Sequence, residues 1–135
     1  MKHFVVIAAI LVNDQEILCM QRYESKYEYV SYKYEFPGGK VEPGESLENG
    51  LMRELHEELD IHVDIKPDDF FMTVAHQYPD FAITMHSFLV AVDTRFFTRK
   101  EHVDHVWLRR TELLTLDWAP ADLPIVDRLM QITEA

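Results

Sequence analysis

Basic residues are scarce in this chain: 13 Lys and Arg stand against 24 Asp and Glu, a formal net charge of −11. That balance argues against a broad cationic surface, so duplex nucleic acid is excluded as the expected partner. An acidic protein whose ligand is a polyanion needs local positive charge at its site, and a bound metal ion supplies it. Cysteine occurs once, at Cys19 in the apolar stretch Ile17-Leu18-Cys19-Met20. One thiol cannot close an internal disulfide, which fits a reducing cytoplasm, and its neighbours make it a core residue rather than a redox group or nucleophile. No apolar run is long enough to span a membrane, so no membrane partner is expected. The N-terminal run after Lys2 could mimic a signal peptide. No small-residue cleavage motif follows it, though, and Asn13-Asp14 leads straight into a second apolar run, as in a hairpin. Repeats, low-complexity tracts and linkers are also missing. With 47% hydrophobic and 27% charged residues in 135, the expectation is one globular domain over residues 1–135.

The pattern along the chain predicts strands over 4–12 and 16–21 around the Asn13-Asp14 turn. Five of the six tyrosines fall between Tyr23 and Tyr34, where cross-strand packing and loop contacts are favoured over stacking on a nucleobase. Glu35-Phe36-Pro37-Gly38-Gly39 reads as a strand ending in a glycine-rich turn. A helix is predicted over 46–59 with Ser46 as its N-cap and Leu47, Leu51, Leu55 and Leu59 as its apolar face. Further strands are expected over 70–78 and 82–93, around a Tyr78-Pro79-Asp80 turn, and over 102–108. A final helix over 122–132 would turn Leu123, Ile125, Val126, Leu129 and Ile132 to the core.

Chemistry is concentrated between Gly39 and Ile61, GKVEPGESLENGLMRELHEELDI. Glu54, Glu57 and Glu58 stand at i, i+3 and i+4 and share one helix face. Like charges at that spacing repel and weaken the helix, so something positive must compensate them. Clustered carboxylate oxygens suit a hard divalent cation such as Mg²⁺ or Mn²⁺. Read without the rest of the segment, the three glutamates would be a solvated acidic face.

The full spacing resembles the Nudix box, G-x5-E-x7-R-E-U-x-E-E-x-G-U with U apolar, at every specified position except one. Asp60 stands where the box has its second glycine. That position ends the helix in a left-handed conformation, which Asp and Asn tolerate best after glycine. The resemblance implies an α+β Nudix fold: an α/β/α sandwich with a mixed sheet between the box helix and a C-terminal helix. It implies hydrolysis of a nucleoside diphosphate linked to another group. Glu35-Phe36-Pro37-Gly38-Gly39-Lys40 and the tail Trp107 … Ala119-Pro120-Ala121-Asp122-Leu123-Pro124 are similar to the MutT-type and CTP pyrophosphohydrolase-like nucleoside triphosphate pyrophosphohydrolases of that family.

On that resemblance Glu54, Glu57 and Glu58 anchor Mg²⁺, with Mn²⁺ as a possible substitute, and the carbonyls of Gly38 or Gly39 add oxygen ligands where a missing Cβ admits cation and phosphates. Glu101, six residues before Trp107, matches a loop glutamate that serves as general base or extra ligand. Glu54, Glu57 and Glu101 are the expected catalytic carboxylates. Arg22 matches a phosphate-binding arginine, and a bidentate guanidinium suits that task. Asp122 faces the base, or alternatively caps the last helix. As an ionised carboxylate it would accept only, favouring bases with an amino donor. Phe36 and Tyr78 would offer stacking surface, although Phe36 could equally be core. Glu45 and Arg53 form an architectural salt bridge. The histidines, His102 and His105 included, lack zinc-site spacing.

The expected activity is therefore Mg²⁺-dependent hydrolysis of a (deoxy)nucleoside triphosphate, a cytidine or oxidised nucleotide among the candidates, by a monomer or homodimer. Two alternatives remain open: a Nudix hydrolase acting on another nucleoside diphosphate-linked substrate, and a nucleotide-binding Nudix module without catalysis. The intact acidic set argues against the second, since a binding module has no need of three mutually repelling carboxylates.

Overall fold

The computed structural model describes residues 1–132. Its strands are β1 (Lys2–Asn13), β2 (Glu16–Arg22), β3 (Tyr34–Glu35), β4 (Gly38–Lys40), β5 (Phe70–Gln77), β6 (Phe81–Ala91) and β7 (His102–Arg109). Helix α1 (Leu47–Leu59) follows β4, and helix α2 (Leu123–Gln131) ends the described chain. All seven strands join one sheet in the order β3-β2-β1-β6-β5, with β4 paired to β1 and β7 to β2. Pairing is antiparallel except between β1 and β6, which run parallel from Lys2↔Phe81 to Val12↔Ala91. The sheet is therefore mixed, as expected for an α+β sandwich.

Strand β1 reads as an unbroken apolar run because both of its faces are covered. Ile7, Ala9 and Leu11 point to the α1 side with Leu51, Leu55 and Leu59. Ala8 and Ile10 point to the α2 side with Ile125, Val126 and Leu129. The period-2 alternation continues in β2, where Leu18 and Met20 join the α1 core and Ile17 and Cys19 the α2 core. Burial pushes the Cys19 thiol up to about 12, which removes the thiolate needed for reactivity.

Two elements differ from expectation. The β1–β2 turn is centred one residue later, on Asp14 and Gln15, both at positive φ (50° and 66°). Asn13 stays in the strand because its side chain is tied down: Nδ2 donates to Val92 O at 2.9 Å and Oδ1 accepts from Arg95 at 2.8 Å. Two consecutive left-handed residues are the mark of a type I′ hairpin, which favours glycine at the second place. Gln15→Gly should therefore raise stability by about 0.5–1 kcal/mol, read as a higher melting temperature. The other difference is in α2, whose first turn is preceded by a 3₁₀ turn, Pro120–Asp122. Its buried face is Ile125, Val126 and Leu129, while Leu123 and Ile132 are largely exposed.

The pairings also explain where a cleft opens. One side of β2 is filled by β7 along its whole length. On the other side β1 pairs only near the turn, at Val12↔Ile17 and Asn13↔Glu16. Beyond that point β1 and β2 splay apart: β3 adds to β2 at Met20 and Gln21, and β4 adds to β1 at Val6, Ile7 and Ala8. The link between β3 and β4, Phe36-Pro37, crosses the gap, and the glycine-rich approach to α1 lies on its floor.

Candidate active site

Helix α1 begins as the sequence dictates. The Ser46 hydroxyl accepts from Asn49 N at 3.1 Å, satisfying one of the free N–H groups of the first turn. Its end is equally local. Asp60 adopts φ 56°, ψ 31°, the left-handed conformation expected there, and its N–H closes onto His56 O and Leu55 O.

Arg53 organises the box. Its Nε and Nη2 donate to the two Glu45 oxygens at 2.7 and 3.0 Å, and Nη2 also reaches Lys40 O at 3.1 Å. This two-pronged pair ties the loop after β4 to the helix and holds the Glu45 carboxyl down at about 2, chiefly through the Arg53 hydrogen bond. Arg53 does more than the sequence suggested. Its Nη1 also touches Glu54 at 2.9 Å and Glu57 at 3.3 Å, so one guanidinium compensates two of the three clustered acids.

Glu58 is left to the carboxylates. Burial first, and then a hydrogen bond with Glu54 and the charges of Glu54, Glu101 and Glu35, push its carboxyl up to about 9. A carboxyl that burial and neighbouring acids bias toward its protonated form is a place where a dication fits. The neighbouring backbone agrees: a Cβ on Gly39 would run into the Glu54 carboxylate, and one on Gly38 into the backbone of Ile7 and Ala8. Both positions are open only because they are glycine. Among the described residues no three His, Cys, Asp or Glu side chains are already gathered as a metal cage, since Glu54 and Glu57 turn to Arg53. The donor set, all carboxylate and carbonyl oxygen, is that of a hard cation.

Glu101 reaches this end of the cleft from the loop before β7. Lys100 fastens that loop to the helix end, its Nζ donating to Asp60 Oδ1 at 3.1 Å and Glu57 O at 3.3 Å, and Thr98 N donates to Leu59 O at 2.9 Å. The residue that replaces the box glycine is thus also an anchor for the Glu101 loop. Asp60→Gly should relieve the left-handed strain but cut this tie, so the two effects offset and the melting temperature moves little. Asp60→Val should lower it, because a β-branched side chain disfavours this conformation. Asp60→Gly and Lys100→Met should weaken the apparent Mg²⁺ affinity alike, by a few-fold in a metal titration of activity. An unchanged metal requirement in both variants would dismiss the anchoring role.

A cleft of about 660 Å³ gathers Arg22, Phe36, Gly38, Gly39, Glu58, Tyr78, Glu101 and Asp122 in its walls. Glu54 adjoins it through Gly39, whereas Glu57, Glu45 and Arg53 lie outside. A second concavity of about 790 Å³, beyond the C-terminal end of α1, contains none of these residues. Sequence reasoning missed Glu35 and His102, which line the same cleft. Glu35 Oε1 accepts from Arg22 Nη1 at 3.0 Å, and its Oε2 accepts from His102 Nε2 at 2.8 Å.

Two expectations are corrected. Phe36 and Tyr78 line the cleft but are almost fully buried, and each already packs on another ring. Phe36 packs on Trp118 at 4.8 Å, and Tyr78 stacks on Tyr29 at 4.9 Å. Within the tyrosine-rich segment Tyr27 packs on Tyr29 and Phe81, and the Tyr29 hydroxyl donates to Asp80 at 2.7 Å. Asp122 makes no side-chain cap on α2, which removes the capping alternative. Its Oδ1 accepts from Phe36 N at 3.3 Å. Complete burial, and then the Glu35 charge, push its carboxyl well above the ordinary range. The ionised, accept-only carboxylate assumed from sequence is therefore not the form that this environment favours.

The NUDIX domain profile matches residues 1–129. A protein of Escherichia coli (strain K12) named CTP pyrophosphohydrolase is 33% identical over 135 residues, covering 100% of this chain and 97% of that protein. The 8-oxo-dGTP diphosphatase of the same organism is 31% identical over 134 residues, covering 98% and 100%. Among solved structures, the solution structure of the E. coli ORF135 protein superposes with a TM-score of 0.81 at 34% identity, covering 97% of this chain and 91% of that one. The chain belongs to the NUDIX domain family and is a Nudix hydrolase, a class that depends on divalent metal and acts on nucleotides. Among the described residues no helix is long and apolar enough to cross a membrane.

Proposed function

We propose that this chain hydrolyses a (deoxy)nucleoside triphosphate to the monophosphate and pyrophosphate with Mg²⁺, Mn²⁺ serving as a substitute, and so cleans or balances the cytoplasmic nucleotide pool. The observation that carries this reading is that one cleft holds both kinds of group. Glu58, Glu101, Gly38, Gly39 and Arg22 line it together with Asp122 and Phe36, whose N–H donates to Asp122. Such a set suits a metal-bound triphosphate and a base in a single cavity. The two E. coli relatives, named for a CTP and an 8-oxo-dGTP activity, support the same substrate class.

In this reading Glu54, Glu57 and Glu58 hold the metal, with a Gly38 or Gly39 carbonyl, and Glu101 is a further ligand or the general base. When bound, Mg²⁺ screens the phosphate oxygens and lowers the pKa of the attacking water. Arg22 binds phosphate oxygens and aligns the chain for in-line attack. Glu101, exposed at the mouth and near Glu58, takes the proton of the water that adds across the anhydride bond. Asp122 holds the base, and Arg53 and Glu45 keep the helix and loop in register. A screen of nucleotides with Mg²⁺, reading pyrophosphate against phosphate, tests the proposal. Release of phosphate alone, or activity in excess EDTA, would defeat it.

A further inference from the structure

Three neighbouring strands deliver one side chain each to the wall of the cleft. Arg22 ends β2, Glu35 ends β3, and His102 begins β7. Their meeting depends on register. Arg22 lies opposite His102, and the β2–β7 ladder is irregular between Gln21 and Arg22; such a bulge re-aims a side chain and is frequent beside active sites. Glu35 pairs with Met20 on the opposite edge of β2. The carboxylate thus sits between a guanidinium and an imidazole, accepting at 3.0 Å on one oxygen and 2.8 Å on the other.

The chemistry of the pair fixes the direction of the second bond. A carboxylate that accepts from Arg22 is acceptor-only, so the His102 Nε2 carries the proton shared with it. His102 is 5% exposed, and among the described residues its Nδ1 is buried without a partner, as is Arg22 Nε. Among those residues the imidazole therefore makes one directed contact, to Glu35, and Arg22, whose side chain is 41% exposed, has its orientation set by Glu35 at one nitrogen. Glu35 is aligned from the inside by His102 and passes that alignment to the guanidinium. Free rotation of either partner would lose the planar match that makes an arginine fork selective for phosphate.

We propose that His102 is a positioning residue: through Glu35 it holds the Arg22 guanidinium in the orientation that receives the phosphate chain of the nucleotide. The proposal rests on the phosphate-binding reading of Arg22. It predicts an effect on substrate capture rather than on the bond-breaking step, transmitted only when Arg22 is present. His102→Gln keeps an N–H donor near the position of Nε2, whereas His102→Leu keeps bulk and loses the donor.

The test is a double-mutant cycle read by steady-state kinetics with Mg²⁺, on whichever standard nucleoside triphosphate the wild type cleaves fastest. His102→Leu should raise KM by about tenfold, the scale of one directed hydrogen bond to a charged group, with kcat changed less. His102→Gln should recover most of that loss. In an Arg22→Ala background, His102→Leu should add almost nothing, since groups acting in one chain are not additive. Glu35→Gln should behave like His102→Leu, and it supplies the cycle if the leucine variant does not fold. Additive effects of His102 and Arg22, or no recovery in His102→Gln, overturn the positioning role while leaving Arg22 as a phosphate ligand. An unchanged KM in Arg22→Ala, or no triphosphate cleaved by the wild type, overturns the reading of the cleft and the proposal with it.

Discussion

Glu58→Gln is expected to lower kcat by at least about a hundredfold and to leave the protein folded. The two results have the same origin. Glu58 is the carboxylate that burial and neighbouring acids push up to about 9 in the metal-free protein, from an ordinary value of 4.5. A carboxyl whose folded value is raised binds its proton more tightly folded than unfolded, so the contribution of Glu58 to stability is greatest below about 4.5 and is lost as pH rises through about 9. Glutamine cannot ionise, so the variant should lose that slope and match or exceed the wild type in melting temperature at alkaline pH without metal. A dication reverses the local electrostatics. The Mg²⁺-induced rise in melting temperature should therefore grow between acidic and alkaline pH in the wild type and be small in Glu58→Gln. Glu57→Gln should also lose about two orders of magnitude in kcat, with the protein still folded, because Glu57 is largely exposed. Near-normal rates in both variants, or full activity in EDTA, would remove the carboxylates from the metal site.

What the sequence made legible is what short spacing encodes. The Ser46 cap, the leucine face of α1, the left-handed Asp60 and the Arg53–Glu45 pair all follow from offsets of one to eight residues within one helix and its approach. The wall of the cleft is different. Glu35 and His102 are 67 residues apart and meet only because β3 and β7 lie on opposite edges of β2, with a bulge turning Arg22 toward them. No local pattern carries that pairing. The Arg53 contacts to Glu54 and Glu57 lie at i+1 and i+4, offsets compatible with a helix, but the motif itself pairs Arg53 with Glu45 alone. The near-complete burial of Phe36 and Tyr78 has a tertiary origin: residue type announces an aromatic face, and only packing shows that Trp118 and Tyr29 lie against these rings. The hairpin shifted by one residue because Asn13 is held by Val92 and Arg95, about 80 positions away.

Asp122 shows the same limit with a larger consequence, because its burial changes which hydrogen bonds it can offer. Burial first, and then the Glu35 charge, push its carboxyl well above the ordinary range and so favour the neutral acid, which both donates and accepts, as an amide does. The Phe36 N–H engages one oxygen. The ionised form, reached only as pH rises through the raised value, accepts and cannot donate. In the base-reading role this fixes a direction. Raising pH should increase kcat/KM for CTP relative to UTP, since cytosine presents an amino donor where uracil presents a carbonyl. Asp122→Asn copies the neutral acid and cannot ionise, so it should fold normally, keep the ratio that the wild type shows at the acidic end, and hold it flat with pH. Asp122→Leu should lower kcat/KM for the preferred nucleotide by about a hundredfold or more, because it strands the Phe36 N–H and leaves the base edge unpaired. It should do so without a comparable loss of Mg²⁺ affinity, the metal end of the cleft being built from other residues. Parallel pH slopes of the CTP-to-UTP ratio in wild type and Asp122→Asn would show that this carboxyl does not read the base.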